Sequence, residues 1–252
     1  MSNIRSAFAG GKAFIPFITC GDPTLDATVE IVRAAAENGA DLIELGIPFS
    51  DPTAEGPVIQ GANIRALEGG ATTDRIFDMV RRLRGDVTVP MVFVTYANVV
   101  FSYGAERFIS TCGELGIDGL VIPDIPYEEK DEFQPICTKH GVDLISTVAP
   151  TSAKRIGMIS REAEGFIYIA CSPDAADTNT ELKEIVDEIR KNTDIPCAVS
   201  YGITEPEQAA EMAEITDGVM AEAAIIEIIE KHGESAAAPV AGYVSKMKAA
   251  VM

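Results

Sequence analysis

The stretch Glu44–Gln60, ELGIPFSDPTAEGPVIQ, joins a short apolar run to a loop rich in glycine and proline. Glu44 interrupts the apolar run DLIEL, and Asp51 and Glu55 stand in the loop. In parallel α/β barrels, catalytic groups come from the C-terminal ends of the strands and from the loops that follow them. A carboxylate inside a buried run needs a partner or a raised pKa. Glu44 is therefore a candidate functional residue, whereas the two loop acids could also be solvated.

Eight apolar, β-rich runs alternate with amphipathic helical stretches along the chain. The runs are AFIPFIT (13–19), DLIEL (41–45), PMVFVT (90–95), GLVIP (119–123), DLISTV (143–148), GFIYIA (165–170), PCAVS (196–200) and DGVMA (217–221). Near-continuous apolar strands are typical of sheets that are buried on both faces. We predict a single domain over residues 1–252 of the α/β class, a (β/α)8 TIM barrel. A doubly wound open sheet is the alternative.

Two segments exceed the eight-fold alternation. The opening residues 1–13, MSNIRSAFAGGKA, predict a short N-terminal helix before the first strand. Residues 55–70, EGPVIQGANIRALEGG, predict an extra helix after the second strand, ahead of the helix that starts at Thr73.

Charge and composition exclude several functions. The formal net charge of −19 argues against binding to nucleic acid or to an anionic membrane surface. No apolar run reaches the roughly 20 residues that span a bilayer. The N-terminus lacks the apolar core of a signal peptide, so we expect a cytoplasmic protein. The five cysteines have no CxxC spacing and the two histidines have no metal-ligand neighbours, so we expect reduced thiols and no metal site.

Aromatic residues accompany the acids at the predicted strand ends. Phe17, Tyr96 and Tyr168 fall at the first, third and sixth strands. Two separated carboxylates between aromatic walls suit general acid–base chemistry on a planar substrate. Each aromatic residue could equally be ordinary barrel core.

Five stretches together resemble the alpha chain of tryptophan synthase, in that family's order and over almost the whole chain. They are FITCGDP (17–23), IELGIPFSDPTAEGPVIQGANIRAL (43–67), TYANVVFSYG (95–104), GLVIPDIPYEE (119–129) and IIEIIEKHG (225–233). The run ELGIPFSDP is highly specific to that family.

The resemblance implies a reaction and the residues that perform it. The family cleaves indole-3-glycerol phosphate to indole and glyceraldehyde 3-phosphate, a retro-aldol reaction without cofactor or metal. Glu44 stands at the position of the glutamate that protonates the indole C3 carbon. Glu55 stands at the position of the aspartate that takes the indole N–H proton. Substrate-binding positions of the family fall on Phe17, Tyr96, Tyr168, Tyr201, Gly202 and Ala223.

The resemblance also implies a partner. In the family, indole passes to a beta chain that holds pyridoxal phosphate, within an α2β2 heterotetramer. Pro48, Asp51 and Asn98 stand where the alpha chain meets that partner.

The departures from the family pattern concentrate at its phosphate site. Glu55 is one methylene longer than the family aspartate. The loop after the sixth strand reads Asp-Ala-Ala-Asp (174–177) in place of Gly-Val-Thr-Gly, and the loop after the seventh reads Ser-Tyr-Gly (200–202) in place of Gly-Phe-Gly. After the eighth strand, Glu222 and Ala223 replace Gly-Ser. Bulkier residues block the close approach of backbone N–H groups to a phosphate, and added carboxylates repel it.

Glu222 could occupy the place of the anion at a helix N-terminus. Three functions therefore remain open: a lyase of the family type with an altered phosphate site, a non-catalytic subunit that docks a beta chain, and a barrel repurposed for a non-phosphorylated indole-like ligand. In the last case Asp177 or Glu222 would pair with an amine.

Overall fold

The computed structural model describes residues 2–151, 153–171 and 178–252. Its strands are β1 (Ala13–Thr19), β2 (Ile43–Gly46), β3 (Met91–Val94), β4 (Gly119–Val121), β5 (Asp143–Leu144), β6 (Ser146–Val148), β7 (Ile167–Ala170), β8 (Cys197–Ser200) and β9 (Gly218–Ala221). All strand pairs are parallel. The order around the sheet is β5-β4-β3-β2-β1-β9-β8-β7-β6.

The sheet closes through a single chain segment. The strands at the two ends of the order, β5 and β6, are separated by one residue, Ile145. The Ile145 N–H donates to the Leu120 carbonyl oxygen at 2.9 Å, which continues the pairing with β4, and β6 then pairs with β7. The fifth predicted strand, 143–148, is thus one run whose first half pairs with β4 and whose second half pairs with β7. The predicted (β/α)8 barrel is confirmed, and the open-sheet alternative is wrong.

Helices surround the barrel. They are α1 (Leu25–Glu37), α2 (Pro57–Glu68), α3 (Thr73–Leu83), α4 (Ala97–Tyr103), α5 (Ala105–Glu114), α6 (Gln134–His140), α7 (Ala153–Arg161), α8 (Thr178–Arg190), α9 (Pro206–Ile215), α10 (Ala223–His232) and α11 (Ala237–Val251). The extra helix predicted after the second strand is α2. The predicted N-terminal helix is a short 3-10 turn, Ile4–Phe8. None of the described helices has the length and apolar character needed to span a bilayer.

The N-terminal turn plugs the barrel at the end where its strands begin. Ile4 is completely buried. A Cβ placed on Gly119 or on Gly165 would lie 3.0 Å from the Cδ1 atom of Ile4, so two glycines leave just enough room for this side chain. Phe8 packs against Phe166 with ring centroids 6.0 Å apart. The opposite end, where the strands finish, remains available for a site.

Truncation of the plug tests its contribution to stability. Ile4→Ala is expected to lower the free energy of unfolding by about 2–4 kcal/mol, because it leaves a cavity in a closely packed region. The matched control is Ile64→Ala, since Ile64 is 57% exposed and its truncation should cost less than about 0.5 kcal/mol. Urea unfolding of both variants measures the difference. Equal losses would show that the turn does not contribute to the core.

Candidate active site

A cavity of about 350 Å³ opens where the strands end. Three carboxylates face it from β2, from the loop after β2 and from the end of β9, and apolar side chains form most of the remaining wall. Its lining consists of Phe17, Glu44, Ala54, Glu55, Gly56, Ile59, Val94, Val121, Pro123, Thr147, Ala149, Tyr168, Ala170 and Glu222. None of these described lining residues carries a positive charge. The predicted residues Phe17, Glu44, Glu55 and Tyr168 therefore meet in one place.

Glu44 lies on β2 inside the barrel. It is 0% exposed, and neither of its carboxyl oxygens has a hydrogen-bond partner. Its backbone is in register with Phe17 on β1 and Val92 on β3. A Cβ on Gly46 would lie 2.5 Å from the Phe17 ring, so this glycine allows the ring to lie over the end of β2 beside the carboxyl group.

The environment of Glu44 favours the protonated form of its carboxyl group. Burial raises the pKa of Glu44 well above its ordinary value, and the Glu222 carboxylate raises it further. Both effects favour the protonated form of Glu44, and its carboxyl group faces the cavity.

Glu55 is held by a clamp that starts on α2. The Asn63 amide nitrogen donates to the Glu55 carboxylate at 3.0 Å and to the Ile59 carbonyl oxygen at 2.8 Å. The Asn63 side-chain oxygen accepts from the Phe49 N–H at 2.8 Å. One amide side chain thus fixes the first residues of the loop and its acid together. Sequence reasoning missed Asn63, although a polar residue on the buried face of α2 was a signal for it.

The pKa of Glu55 lies near neutrality. Burial raises the pKa of Glu55 to about 7, against the lowering effect of the Asn63 hydrogen bond, and Glu222 adds to the rise. A carboxyl group with a pKa near 7 exchanges a proton readily at neutral pH. Glu44 and Glu55 are thus two carboxyl groups in different environments, one without a hydrogen-bond partner and one held by Asn63.

Glu222 corrects the expectation drawn from sequence. It is the residue before α10, yet its side chain makes no capping hydrogen bond to that helix. Instead, the Tyr168 hydroxyl donates to its Oε1 atom at 2.5 Å, and the Ser200 side chain also hydrogen-bonds to it. Burial raises the pKa of Glu222 despite these donors. The third carboxylate therefore enters the cavity with Glu44 and does not take the place of an anion at the helix N-terminus.

Tyr96 supports the site without lining the cavity. It is 3% exposed, its hydroxyl accepts from the Ala54 N–H at 3.0 Å, and its ring packs on Phe49 at 5.2 Å. Tyr96 thereby braces the loop that carries Glu55.

The remaining predicted ligand contacts lie outside the described lining. Tyr201 is half-buried against the core, Gly202 has a φ of 61°, and Ala223 begins α10. The predicted Asp177, with most of its loop, falls outside the described residues. Among the residues that the structure does describe, no group of three His, Cys, Asp or Glu side chains is arranged to hold a metal ion.

The positions expected to meet a partner lie at the same end of the barrel. Pro48 is buried, while Asp51 and Asn98 are exposed in the loop after β2 and on α4. Phe101, also on α4, is 50% exposed and packs on Phe133 with ring centroids 4.9 Å apart. An apolar ring in contact with solvent therefore accompanies the polar positions.

Residues 5–252 match the family model for the tryptophan synthase alpha chain. The chain belongs to the tryptophan synthase alpha chain family. A tryptophan synthase alpha chain from Lacticaseibacillus casei is 44% identical over 255 residues, which make up 100% of this chain and 96% of the relative. One from Lactiplantibacillus plantarum is 42% identical, with 100% and 97% covered. Membership confirms the resemblance and makes the chain a lyase of tryptophan biosynthesis by family.

Solved structures agree with the tryptophan synthase alpha fold. A crystal structure of tryptophan synthase subunit alpha from Legionella pneumophila str. Paris has a TM-score of 0.92 and 36% identity, with 100% of this chain and 98% of that chain covered. The aminoacrylate-bound form of tryptophan synthase from M. tuberculosis has a TM-score of 0.90 and 28% identity, with 100% of both chains covered.

The raised pKa of Glu55 predicts how stability depends on pH. An acid whose pKa is higher in the folded than in the unfolded chain stabilises the fold below its ordinary pKa, and that contribution is lost as the pH rises through the folded value. With a folded pKa of about 7, the unmodified chain should lose on the order of 2 kcal/mol relative to Glu55→Gln between pH 5 and pH 8. Urea unfolding across that range measures the loss, with exposed Glu114→Gln as the control. Parallel pH profiles for the chain and Glu55→Gln would contradict the assignment.

Proposed function

We propose that this chain cleaves indole-3-glycerol phosphate by a retro-aldol reaction, with Glu44 and Glu55 as the proton-transferring residues. The observation that carries the proposal is the fully buried, unpartnered carboxyl group of Glu44, which faces the same cavity as a second carboxyl group whose pKa is near 7. The apolar wall beside Phe17 suits the flat indole ring.

The proton transfers balance over the reaction. Glu44 gives its proton to the indole C3 carbon while Glu55 takes the proton of the ring nitrogen. The bond between C3 and the glycerol phosphate part of the substrate then breaks. The substrate hydroxyl on the carbon that was bonded to C3 gives its proton to Glu44, and the oxygen of that hydroxyl becomes the aldehyde carbonyl oxygen. The bonding electrons enter the ring, and Glu55 returns the proton to the nitrogen. Both carboxyl groups end in their starting states, so no cofactor is consumed.

The partner of this reaction would be a tryptophan synthase beta chain in an α2β2 assembly. We assign the docking surface to the exposed residues Asp51, Asn98 and Phe101, because they lie on the loop after β2 and on α4, next to the cavity. Indole released from the cavity would pass to the beta chain, which carries the pyridoxal phosphate. The chain would work in the cytoplasm, without nucleic acid or membrane.

Glu44→Gln tests the assignment of the acid. The amide has nearly the same shape but no proton to donate, so indole release should fall by about 10²–10⁴-fold while binding of a substrate analogue changes little. Glu114→Gln, exposed on α5, is the matched control and should retain full activity. Steady-state indole release from indole-3-glycerol phosphate is measured with and without a beta chain. Turnover that survives in Glu44→Gln would refute the role of Glu44. Beta-chain stimulation without turnover by the unmodified chain would favour the non-catalytic subunit.

Glu55→Asp tests whether the longer acid is an adapted base. The family has aspartate here, yet the Asn63 clamp in this chain is fitted to the reach of glutamate. Shortening the side chain by one methylene should break the hydrogen bond and lower turnover by on the order of 10²-fold, as misplacement by about 1 Å does. Asn63→Ala should lower turnover in the same direction. Higher turnover in Glu55→Asp would show instead that Glu55 is an impaired substitute.

A further inference from the structure

The cavity holds one carboxylate more than the proposed reaction uses. Glu44 and Glu55 account for both proton transfers, and Glu222 has no step assigned to it. No described residue that lines the cavity offers Glu222 a cationic partner. Glu222 is only partly exposed, and a carboxylate with little access to water and no counter-charge is costly unless a ligand or a proton supplies one.

Glu222 is fixed in place by two hydroxyl groups. The Tyr168 hydroxyl donates at 2.5 Å from β7, and the Ser200 side chain donates from the end of β8. An ionised carboxylate has about four lone-pair sites, so two donors leave it able to accept further hydrogen bonds. The carboxylate is therefore both oriented and open to a donor from the cavity.

A second observation at the same cavity points to a ligand. The Glu44 carboxyl group is 0% exposed, has no hydrogen-bond partner on either oxygen, and forms part of the cavity wall. The rest of the wall includes Phe17, Ile59, Val94 and Val121, which suit an aromatic ring. An organic cation with an aromatic ring suits this combination of apolar wall and acids.

We propose that Glu222 binds the protonated amine of an aromatic ligand, such as an indolylethylamine, whose ring lies in the apolar part of the cavity beside Phe17. The inference rests on the proposed function in one respect, since it places the ring where the indole of the substrate would lie. An ammonium group donates up to three hydrogen bonds, and a charged hydrogen bond to the Glu222 carboxylate adds affinity that a neutral alcohol lacks. Such a ligand would compete with the phosphate ester.

A simpler account of Glu222 is a latch that joins β9 to β7 through Tyr168. A latch would stabilise the barrel but would not distinguish ligands by charge. Ligands of one shape and different charge therefore separate the two accounts.

The experiment is calorimetric titration of the full chain at pH 8 with tryptamine, with its neutral analogue tryptophol and with anionic indole-3-acetate. Tryptamine should bind about 10- to 100-fold more tightly than tryptophol, and indole-3-acetate most weakly, because a charged hydrogen bond contributes a factor of that size. Glu222→Gln keeps an oxygen for the Tyr168 hydroxyl but loses the charge, so it should bind tryptamine and tryptophol equally. Glu227→Gln, an exposed position on the same helix, should retain the preference.

The outcomes distinguish this proposal from the lyase assignment. Equal binding of tryptamine and tryptophol by the unmodified chain, or an undiminished preference in Glu222→Gln, overturns the amine site whatever the lyase activity. Indole release is measured on the same preparation, with tryptamine added as a competitor. Turnover without an amine preference leaves the lyase assignment intact, and an amine preference without turnover supports the site while refuting the lyase assignment.

Discussion

The burial of the Glu44 carboxyl group is the constraint on which the site depends. A carboxyl group without a partner inside a barrel is tolerated only in its neutral form, so the fold itself sets its protonation. The parallel register of β1, β2 and β3 fixes where this group stands, and Gly46 gives the Phe17 ring its place beside it. The strands therefore place a carboxyl group whose protonated form is favoured at the wall of the cavity.

The helix α2 holds the loop after β2 in place through hydrogen bonds. Asn63 holds the backbone of Phe49 and the side chain of Glu55 at once. Two residues further along α2, Arg65 forms two hydrogen bonds of 2.8 Å to the fully buried carboxylate of Asp22, in the loop after β1, and a third contact of 3.0 Å to Glu230 on α10. Loss of Arg65 would leave the buried Asp22 carboxylate without its cation, and a change of that kind costs about 3–5 kcal/mol. The extra helix thus joins the loops after β1 and β2 to α10 at the mouth of the barrel and holds the Glu55 side chain in place.

The alternation of apolar runs with helical stretches was enough to predict the barrel from the sequence. The strand runs and the acid within DLIEL follow from buried parallel strands, and the recognisable loop motif located Glu55. The sequence could not show which way Glu222 turns, because a residue that precedes a helix can either cap it or point elsewhere, and the choice depends on the hydroxyl of Tyr168, 54 positions away. Asn63 was missed for the same reason, since two of its partners, the Phe49 N–H and the Glu55 carboxylate, come from different parts of the loop.

The position of Glu222 also bears on the loops that depart from the family pattern. A carboxylate that capped α10 would act mainly on the first turn of that helix. Because it lies beside Tyr168 instead, its charge raises the pKa of Glu44, of Glu55 and of the Tyr168 hydroxyl. Glu222 therefore has two effects. It favours a ligand of positive charge, and it raises the pKa values of Glu44 and Glu55, which govern how readily these groups exchange protons. Selection for a different ligand charge and selection for proton transfer would act on the same side chain.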